Sequence, residues 1–321
     1  MITYDSELKS IENFLGEMPM MSRQPAALYT PIRDFIKIPG KRVRPLLVLL
    51  SYQLYHTDFQ CALPVSSAVE CFHNFTLIHD DIVDSAPTRR GHPTVHITHG
   101  TDTAIIAGDV LMVYCYELLA NCQNMPFAEL VQCFTTMSRL VCEGQILDLE
   151  FSKRESVTKN EYLEMITLKT ATLLGAALEL GAIAANASKE EQLLLKNYGE
   201  AIGIIFQLQD DILDLYATSA ESGKVVGGDI LENKRTILWV SAWENAMGHH
   251  QDALRYWEKQ PRSAEKIEAV RAIFEETDAR GTAQKLMQAY QQQADYYLAQ
   301  LSHRPTQKLH NLAQLLINRQ Y

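Results

Sequence analysis

The sequence lacks the short motifs that mark nucleotide-dependent, serine-dependent or zinc-dependent enzymes. It has no glycine-rich phosphate loop, no G-x-G-x-x-G after a strand, no G-x-S-x-G and no C-x-x-C pair among its six cysteines. A di-iron carboxylate bundle would require Glu-x-x-His pairs on several helices, and only Glu70 with His73 offers one. Nucleotide-dependent, serine-dependent, zinc-dependent and di-iron chemistry are therefore disfavoured.

Positive charge is scarce as well. The chain has 29 Lys and Arg against 39 Asp and Glu, which gives a formal net charge of −10 and a pI near 5.5. Proteins that wrap nucleic acid need a basic surface. Nucleic acid is therefore not an expected partner, although small basic patches have to be considered separately.

Long hydrophobic runs are missing. The run "PLLVLL" at 45–50 is far shorter than the roughly 20 residues needed to span a bilayer. The first twenty residues carry acids and have no basic segment leading into an apolar run, unlike a secretory signal. Several cysteines lie in apolar helical stretches, which is typical of buried free thiols in a reducing compartment. We expect a cytoplasmic protein that does not span a membrane.

Strand signals are almost absent, whereas apolar residues recur at the three and four spacing of helices. The hydrophobic content of 47% is sufficient for a large core. We see no convincing domain boundary, because 258–266 is typical of an interhelical loop and Pro305 only separates two amphipathic helices. The sequence predicts a single all-α domain over residues 1–321.

Two predicted helices carry unusual clusters of acids. The first runs from Pro64 to Ala86 and is ended by Pro87; the second starts at Ser188, where a capping box with Glu191 is expected. Each ends in D-D-x-x-D, and the acids are Asp80, Asp81 and Asp84 in the first helix and Asp210, Asp211 and Asp214 in the second. The helix dipole disfavours carboxylates at a C-terminal end. A lone cluster is usually a solvated face, but the repetition of this unfavourable arrangement points to a binding site.

Carboxylates at helical spacing suit Mg²⁺, which commonly takes one or two of them and completes its shell with water and substrate phosphate. Basic side chains follow or precede both clusters and would contact the phosphate directly. They are Lys41, Arg42, Arg44, Arg89 and Arg90 around the first cluster and Lys224 and Lys234 after the second. The residues 217–236 around these last two lysines are rich in Gly, Ser and charge, and we expect a mobile loop there. The residues predict a diphosphate substrate, or two.

The role of His79, next to Asp80, stays open between a general base and a packing histidine.

The motifs, taken in order, resemble those of the trans-type isoprenyl diphosphate (polyprenyl) synthases. "LIHDDIVDSAPTRRGHPTVH" and "FQLQDDILDLY" are similar to the two aspartate-rich motifs of that family. The other similar blocks are "GKRVRPLL", "AGDVLM", "EGQILDLEF", "KTATLLGAALELGA" and "GKVVGGDILENKRT". The order of all seven blocks is far more specific than D-D-x-x-D alone.

This resemblance implies an all-α isoprenoid synthase fold whose helices surround a deep cavity, a homodimer, and Mg²⁺ as cofactor, with roughly three ions per site when substrate is bound. The implied reaction joins isopentenyl diphosphate head to tail to an allylic diphosphate. The allylic C–O bond ionises, the isopentenyl double bond attacks the cation, and the departing diphosphate takes the proton.

The resemblance also implies residue roles. Mg²⁺ would be held by Asp80, Asp84, Asp210 and Asp214, and Asp81 would belong to the same catalytic set. Isopentenyl diphosphate would be bound by Lys41, Arg44, His73 and Arg90. The allylic diphosphate would be contacted by Arg89, Lys169, Lys224 and Lys234, and the reacting centre would be lined by Lys169, Thr170 and Gln207.

Product length is expected to depend on Phe75 and Thr76, which precede the first motif. On a helical wheel Thr76 lies about 40° from Asp80, whereas Phe75 lies about 140° away and is less certain as a cavity residue. Within the family both positions influence product length. A bulky Phe75 with a small Thr76 resembles short-chain synthases that make C15 to C20 products; a longer-chain synthase is the alternative.

The chain departs from the family pattern at Asn233, where Gly is frequent. Asn tolerates a left-handed backbone, so we expect a mild effect on the loop.

Two other functions are alternatives: a terpene cyclase, which would replace the second D-D-x-x-D with a mixed motif, and a non-catalytic subunit that stabilises a partner synthase.

Overall fold

The computed structural model describes residues 3–122, 124–216 and 226–318. Helices dominate these residues, and the predicted all-α class is confirmed. Within these ranges, β-structure is limited to one antiparallel hairpin of two-residue strands, β1 (Thr88–Arg89) and β2 (His92–Pro93).

The chain forms two compact units: residues 1–135 with 176–193, and residues 136–175 with 194–321. The predicted single domain stays a prediction. The helices are, in chain order, α1 (Asp5–Glu17), α2 (Ala26–Ile36), α3 (Val43–Tyr52), α4 (Leu63–Val83), α5 (Val95–His99), α6 (Thr101–Ala120), α7 (Phe127–Phe151), α8 (Lys159–Ile166), α9 (Thr172–Ala184), α10 (Lys189–Tyr216), α11 (Gly228–Leu231), α12 (Ile237–Asn245), α13 (Gly248–Glu258), α14 (Ala264–Glu276), α15 (Ala279–Ala299) and α16 (Gln307–Ile317). A π-helical turn, Thr167–Ala171, joins α8 to α9.

The centre of the first unit is α4, which packs against α1, α3 and α6. It begins with Pro64 in its first turn, as predicted, but it ends at Val83 and not at Ala86. Ser85 adopts a left-handed conformation, with φ 49, and the amide of Ala86 donates to the carbonyl of Asp81 at 2.9 Å. This pairing is a Schellman motif, which stops the helix directly after the acids.

The hairpin after α4 was not predicted from the sequence. Its loop residues, Arg90 and Gly91, both have positive φ, of 51 and 79. Two left-handed residues are typical of a tight hairpin turn whose twist matches that of the strands. Strands of two residues are too short to show an alternating apolar and polar pattern. The sequence therefore does not predict the turn that positions Arg89 and Arg90.

The helix boundaries predicted elsewhere are mostly confirmed. Ser188 and Glu191 form the expected capping box, in which the amide of Glu191 donates to Ser188 Oγ at 3.2 Å. The loop predicted at 258–266 is shorter in the structure, since α13 ends at Glu258 and α14 begins at Ala264. Pro305 lies between α15 and α16, as expected. Part of the expected loop at 217–236 is helical instead, as α11, while residues 217–225 lie outside the described residues.

In the second unit, the π-helical turn and the start of α9 approach α10 so closely that only glycine fits at the contact positions of α10. A Cβ atom at Gly199 would lie 2.8 Å from Gly175 Cα, and one at Gly203 would lie 2.5 Å from Ala171 Cα. Because positions four apart lie on one helix face, the next position along this face of α10 is Gln207. The close crossing therefore brings Gln207 within hydrogen-bond distance of the π-helical turn.

Within the part of the chain that the structure describes, two stretches are long and apolar enough to cross a bilayer by length and composition alone, Thr101–Ala120 and Lys159–Ala184. The best window of the second is 78% buried within the protein and that of the first is 44% buried. Core helices of soluble proteins also have this composition, so the two stretches are weak evidence for a membrane protein.

The thiols are all free, but they are not all buried. Cys71, Cys115 and Cys122 are buried, as expected for structural thiols. Cys61 and Cys142 are exposed and Cys133 is partly buried, so the expectation of buried thiols holds for half of the six.

We predict that Gly203→Ala lowers the free energy of unfolding by about 1–3 kcal/mol, because the new methyl group would overpack the helix crossing. Urea denaturation measures this change. The matched control is Gly16→Ala in α1, where a Cβ atom meets nothing within 4 Å. The control should be neutral or stabilising by up to about 1 kcal/mol. Equal effects of the two substitutions would contradict the predicted crowding.

Candidate active site

The acids of the first cluster divide into two kinds. Asp80 is half-buried and Asp84 is exposed at the end of α4, whereas Asp81 is only 1% exposed. The hairpin brings Arg89 back to α4, where its Nε donates to Asp81 Oδ1 at 2.7 Å. Burial raises the pKa of Asp81, although Arg89 opposes the shift. Asp81 is thus an anchor for Arg89, and its predicted part in catalysis stays a prediction.

The second cluster repeats this division. Asp210 and Asp214 are half-buried, and Asp211 is 5% exposed. Asp211 Oδ2 accepts from Tyr162 Oη at 2.5 Å and from the amide of Ile237 at 2.9 Å. Burial raises the pKa of Asp211 to about 7, and the charge of Asp229 adds to the shift, while the hydrogen-bond donors oppose it. In both motifs the second aspartate is therefore buried and hydrogen-bonded, and the first and last are more accessible.

Asp211 also fixes the orientation of Gln207. Gln207 Nε2 donates to Asp211 Oδ1 at 2.9 Å, so its amide oxygen is directed to the other side and accepts from Thr170 Oγ1 at 3.0 Å. Lys169, the neighbour of Thr170, is paired with Asp148 at 2.5 Å. Lys169 and Thr170 both lie in the π-helical turn, a distortion that is frequent at functional sites.

These side chains line one cavity of about 90 Å³ within the second unit. Lys234 lies on its edge, 3.3 Å from Asp229 and 3.0 Å from Glu232. Burial disfavours the Lys234 ammonium, but the two carboxylates outweigh that effect and raise its pKa. Lys234 is therefore charged, as contact with a diphosphate would require.

Asn233, the departure from the family pattern, has φ 55. Asn233 thus adopts the left-handed backbone that Asn tolerates, and the expected mild effect on the loop stays a prediction. Its side chain also contributes a contact that glycine could not make, since Lys266 Nζ donates to Asn233 Oδ1 at 2.7 Å.

In the first unit, the predicted ligands of isopentenyl diphosphate form a basic cluster. Arg44 Nη1 lies 3.1 Å from His73 Nε2, and Lys41 is exposed beside them in the chain. Burial lowers the pKa of His73, and the charges of Arg44 and Arg90 lower it further. His73 is therefore neutral, and its Nε2 accepts a hydrogen bond from the Arg44 guanidinium.

Arg90 and Arg42 differ in how they are held. The guanidinium of Arg90 packs on Gly40, where a Cβ atom would lie 2.7 Å from Arg90 Nη1. The side chain of Arg42 is 1% exposed and donates to Glu70 at 2.6 Å and to Glu12 at 2.7 Å. Its donors are already engaged, which corrects the expectation that Arg42 contacts phosphate directly.

Phe75, one of the two residues predicted to set product length, is packed among aromatic rings. The ring centroid of Phe75 lies 5.5 Å from that of Phe72 and 4.8 Å from that of His79. Phe72 is fully buried and packs in turn on Phe134. Thr76 donates to the carbonyl of His73 at 2.8 Å, and both Phe75 and Thr76 are half-buried.

His79 is held as a packing residue. Its Nε2 lies 3.1 Å from the carbonyl oxygen of Ile105, and its ring lies directly over Gly108, where any Cβ atom would collide with it. Of the two roles left open for His79, these contacts favour packing over proton transfer.

The acids fit Mg²⁺ as open pairs and not as closed cages. No group of three or more His, Cys, Asp or Glu side chains among the described residues is arranged to hold a cation alone. Each D-D-x-x-D offers hard carboxylate oxygens one helical turn apart, as Mg²⁺ prefers when substrate phosphate completes its shell. Asp80 with Asp84, and Asp210 with Asp214, would be the residues that hold it.

One predicted ligand, Lys224, lies outside the described residues. Sequence reasoning did not single out Asp148, Tyr162 or Asp229, which pair with predicted site residues. Asp148 lies in the block "EGQILDLEF" and Asp229 in the block "GKVVGGDILENKRT", both of which resemble the family. Their positions in these blocks could have identified them as site residues.

Comparisons with known proteins agree on one family. A sequence profile described as polyprenyl synthetase matches residues 25–277. The chain is 39% identical, over 77% of its length and 78% of the relative's, to geranylgeranyl diphosphate synthase from Methanosarcina mazei. It is similar to a crystal structure of a geranylgeranyl pyrophosphate synthase, with a TM-score of 0.93 and 36% identity over 99% of both chains. It is also similar to a Caulobacter crescentus polyprenyl synthase complexed with calcium and isoprenyl diphosphate, with a TM-score of 0.88 and 26% identity over 99% of this chain and 96% of the other.

Proposed function

The chain belongs to the polyprenyl synthetase family and is a prenyltransferase, and from this membership we propose that it is a Mg²⁺-dependent, short-chain trans-isoprenyl diphosphate synthase. It would condense isopentenyl diphosphate with dimethylallyl, geranyl or farnesyl diphosphate. The products would be C15 to C20 all-trans prenyl diphosphates and diphosphate.

The observation that carries this proposal is the division of acids within each D-D-x-x-D. The second aspartate is buried and hydrogen-bonded, and the first and last carboxylates, which are more accessible, would hold the cation. Two such pairs suit a leaving group with several negative charges. A cyclase with a mixed second motif would not need the second pair.

The chemistry divides among the chain's own residues. Bound Mg²⁺ would neutralise the diphosphate that leaves the allylic carbon. Lys169 and Lys234 would hold the same diphosphate. Gln207 and Thr170 would direct oxygen atoms with partial negative charge at the carbon where positive charge develops, because Asp211 fixes the Gln207 amide.

The isopentenyl substrate would bind in the first unit. Arg44, Arg90 and Lys41 would contact its diphosphate, and neutral His73 would orient Arg44. No protein base is required, since the departing diphosphate can take the proton released when the new double bond forms.

The direct test is to incubate purified protein with isopentenyl diphosphate and each of the C5, C10 and C15 allylic starters. We expect elongation with Mg²⁺ and none after chelation by EDTA. A complete lack of elongation with every starter would favour a non-catalytic subunit, and a cyclic hydrocarbon product would favour a cyclase.

Asp80→Ala and Asp210→Ala should each lower kcat by about 10³-fold, since each removes one carboxylate that stabilises the leaving group. Steady-state kinetics and circular dichroism measure the turnover and the retained fold. Asp34→Ala, an exposed aspartate of α2, is the matched control and should have normal turnover. Near-normal rates in both site variants would contradict the assigned roles.

Phe75→Ala should lengthen the main product by roughly one C5 unit, because the vacated ring volume is similar to that of an isoprene unit. Chromatography of the dephosphorylated products measures this shift. Phe127, which is 49% exposed, provides the control Phe127→Ala, expected to leave product length unchanged. An unchanged distribution in Phe75→Ala would exclude this ring from the cavity floor.

We further propose a homodimer that covers the exposed apolar face of α6. Ile106 and Val113 are 52% and 60% exposed and lie two turns apart on one face of this apolar helix.

The double substitution Ile106→Glu with Val113→Glu should convert a dimer to a monomer, as measured by light scattering after gel filtration. The control Leu315→Glu, at a residue that is 64% exposed on α16, should leave the mass unchanged. A monomeric unsubstituted protein would overturn the proposal.

A cytoplasmic location is supported by the free thiols, and cell fractionation tests it.

A further inference from the structure

Lys266 is a buried lysine on α14 to which the proposed chemistry assigns no role. It is 2% exposed, and burial lowers the pKa of its ammonium group, although the charge of Glu258 opposes the shift. A lysine is almost never fully buried unless acceptors replace the water that its ammonium loses. The acceptors of Lys266 therefore indicate what this residue does.

The shortest hydrogen bond of Lys266 goes to a side chain at the edge of the active site. Its Nζ donates to Asn233 Oδ1 at 2.7 Å and, over longer distances of 3.3 and 3.4 Å, to the carbonyls of Gln260 and Glu258. Asn233 Nδ2 donates to the same Glu258 carbonyl at 3.2 Å. Both ends of the Asn233 amide are therefore held, one by α14 and the other by the end of α13.

Arg235, two residues further on, is anchored to the same place. Its side chain is 1% exposed, and its Nη2 lies 2.5 Å from Glu258 Oε1. Its Nη1 donates to the carbonyl of Asn233 at 3.2 Å, and its guanidinium lies over the ring of Trp239, 4.0 Å from the centroid. The residues directly before and after Lys234 are thus both fixed by buried contacts.

Lys234 itself lines the cavity that contains Lys169, Thr170 and Gln207. Its backbone amide donates to the carbonyl of Asp229 at 3.0 Å, so the start of the side chain is fixed by main-chain contacts as well. A lysine that binds an anion loses the freedom of a long side chain, and any freedom of its backbone adds to that loss. Anchoring the backbone in advance therefore favours binding.

Asn233 is also the position at which this chain departs from the family pattern. Its backbone is left-handed, with φ 55, a conformation that glycine adopts as readily. Glycine has no side chain to accept from Lys266 and allows a wider range of backbone angles. The buried lysine and the unusual asparagine are consequently two halves of one contact.

We propose that Lys266 is a positioning residue that acts through Asn233 to hold Lys234 at the cavity edge, where the diphosphate of the allylic substrate would bind. This inference rests on the proposed function. It gives α14 a part in substrate affinity without any contact with the substrate.

The test measures the Kd of each substrate alone by titration calorimetry with Mg²⁺, so that no condensation takes place. Lys266→Met and Asn233→Gly should each weaken the binding of geranyl diphosphate about tenfold, the size of one lost charge-assisted hydrogen bond. The Kd of isopentenyl diphosphate, whose proposed ligands lie in the first unit, should change by less than about twofold. The double variant should bind geranyl diphosphate no more weakly than the weaker single variant, because both substitutions remove the same contact.

Asn233→Gly is the decisive variant, because it changes no charge. If only Lys266→Met weakens geranyl diphosphate binding, the lysine acts by its charge at a distance and the inference is overturned. If Lys266→Met does not fold, as urea denaturation would show, Asn233→Gly alone decides. The control Lys285→Met removes a lysine of α15 whose side chain is 78% exposed, and it should leave both Kd values within about twofold.

A purely structural contact would give a different pattern. Both substrates would then bind more weakly in proportion to the lost stability; that result, or normal affinity for geranyl diphosphate in Asn233→Gly, overturns the inference. The proposed function is tested separately by elongation and by Lys234→Gln. If the enzyme elongates and Lys234→Gln weakens geranyl diphosphate binding while Asn233→Gly does not, only the inference fails. An unsubstituted protein that binds no geranyl diphosphate overturns both.

Discussion

The site depends on the burial of one carboxylate in each aspartate-rich motif. Asp81 and Asp211 are removed from water, which is unfavourable for an ionised group unless donors replace the lost hydration. Arg89 supplies a donor to Asp81, and Tyr162, Gln207 and the Ile237 amide supply donors to Asp211. Neighbouring helix positions differ in direction by about 100°. Once the second aspartate of each motif points inwards, the directions of the first and last aspartates are therefore determined.

A second constraint is the separation of charge within the basic cluster. A diphosphate has to compete with the protein's own carboxylates for guanidinium groups, because both accept the same hydrogen bonds. Two buried acids of the first unit are paired with arginines, Asp81 with Arg89 and Glu70 with Arg42. A net charge of −10 and a cationic binding site can therefore coexist in one chain, because the protein pairs its own anions locally.

The sequence was sufficient to predict the helices, the capping box at Ser188 and the two acid clusters, since these depend on local spacing. It did not reveal that Arg42 is engaged while Arg44 faces a histidine, although both lie in one basic run. Nor did it reveal the hairpin that returns Arg89 to Asp81. Such distinctions depend on partners 8 to 30 residues away in the chain, and composition and periodicity contain no information about them.

The position of the reacting centre follows from backbone contacts. Gly199 lets α10 approach the start of α9, and Gly203 lets it approach the π-helical turn, more closely than any side chain would permit. The π-helical turn accommodates one extra residue at the same level. In a regular α-helix, without the extra residue, each following residue would be rotated by about 100°. Thr170 would then no longer lie next to Gln207. The hydrogen bond between Thr170 and Gln207 thus depends on two glycines and one irregular turn, which explains why residue types alone could suggest this pair but could not place it.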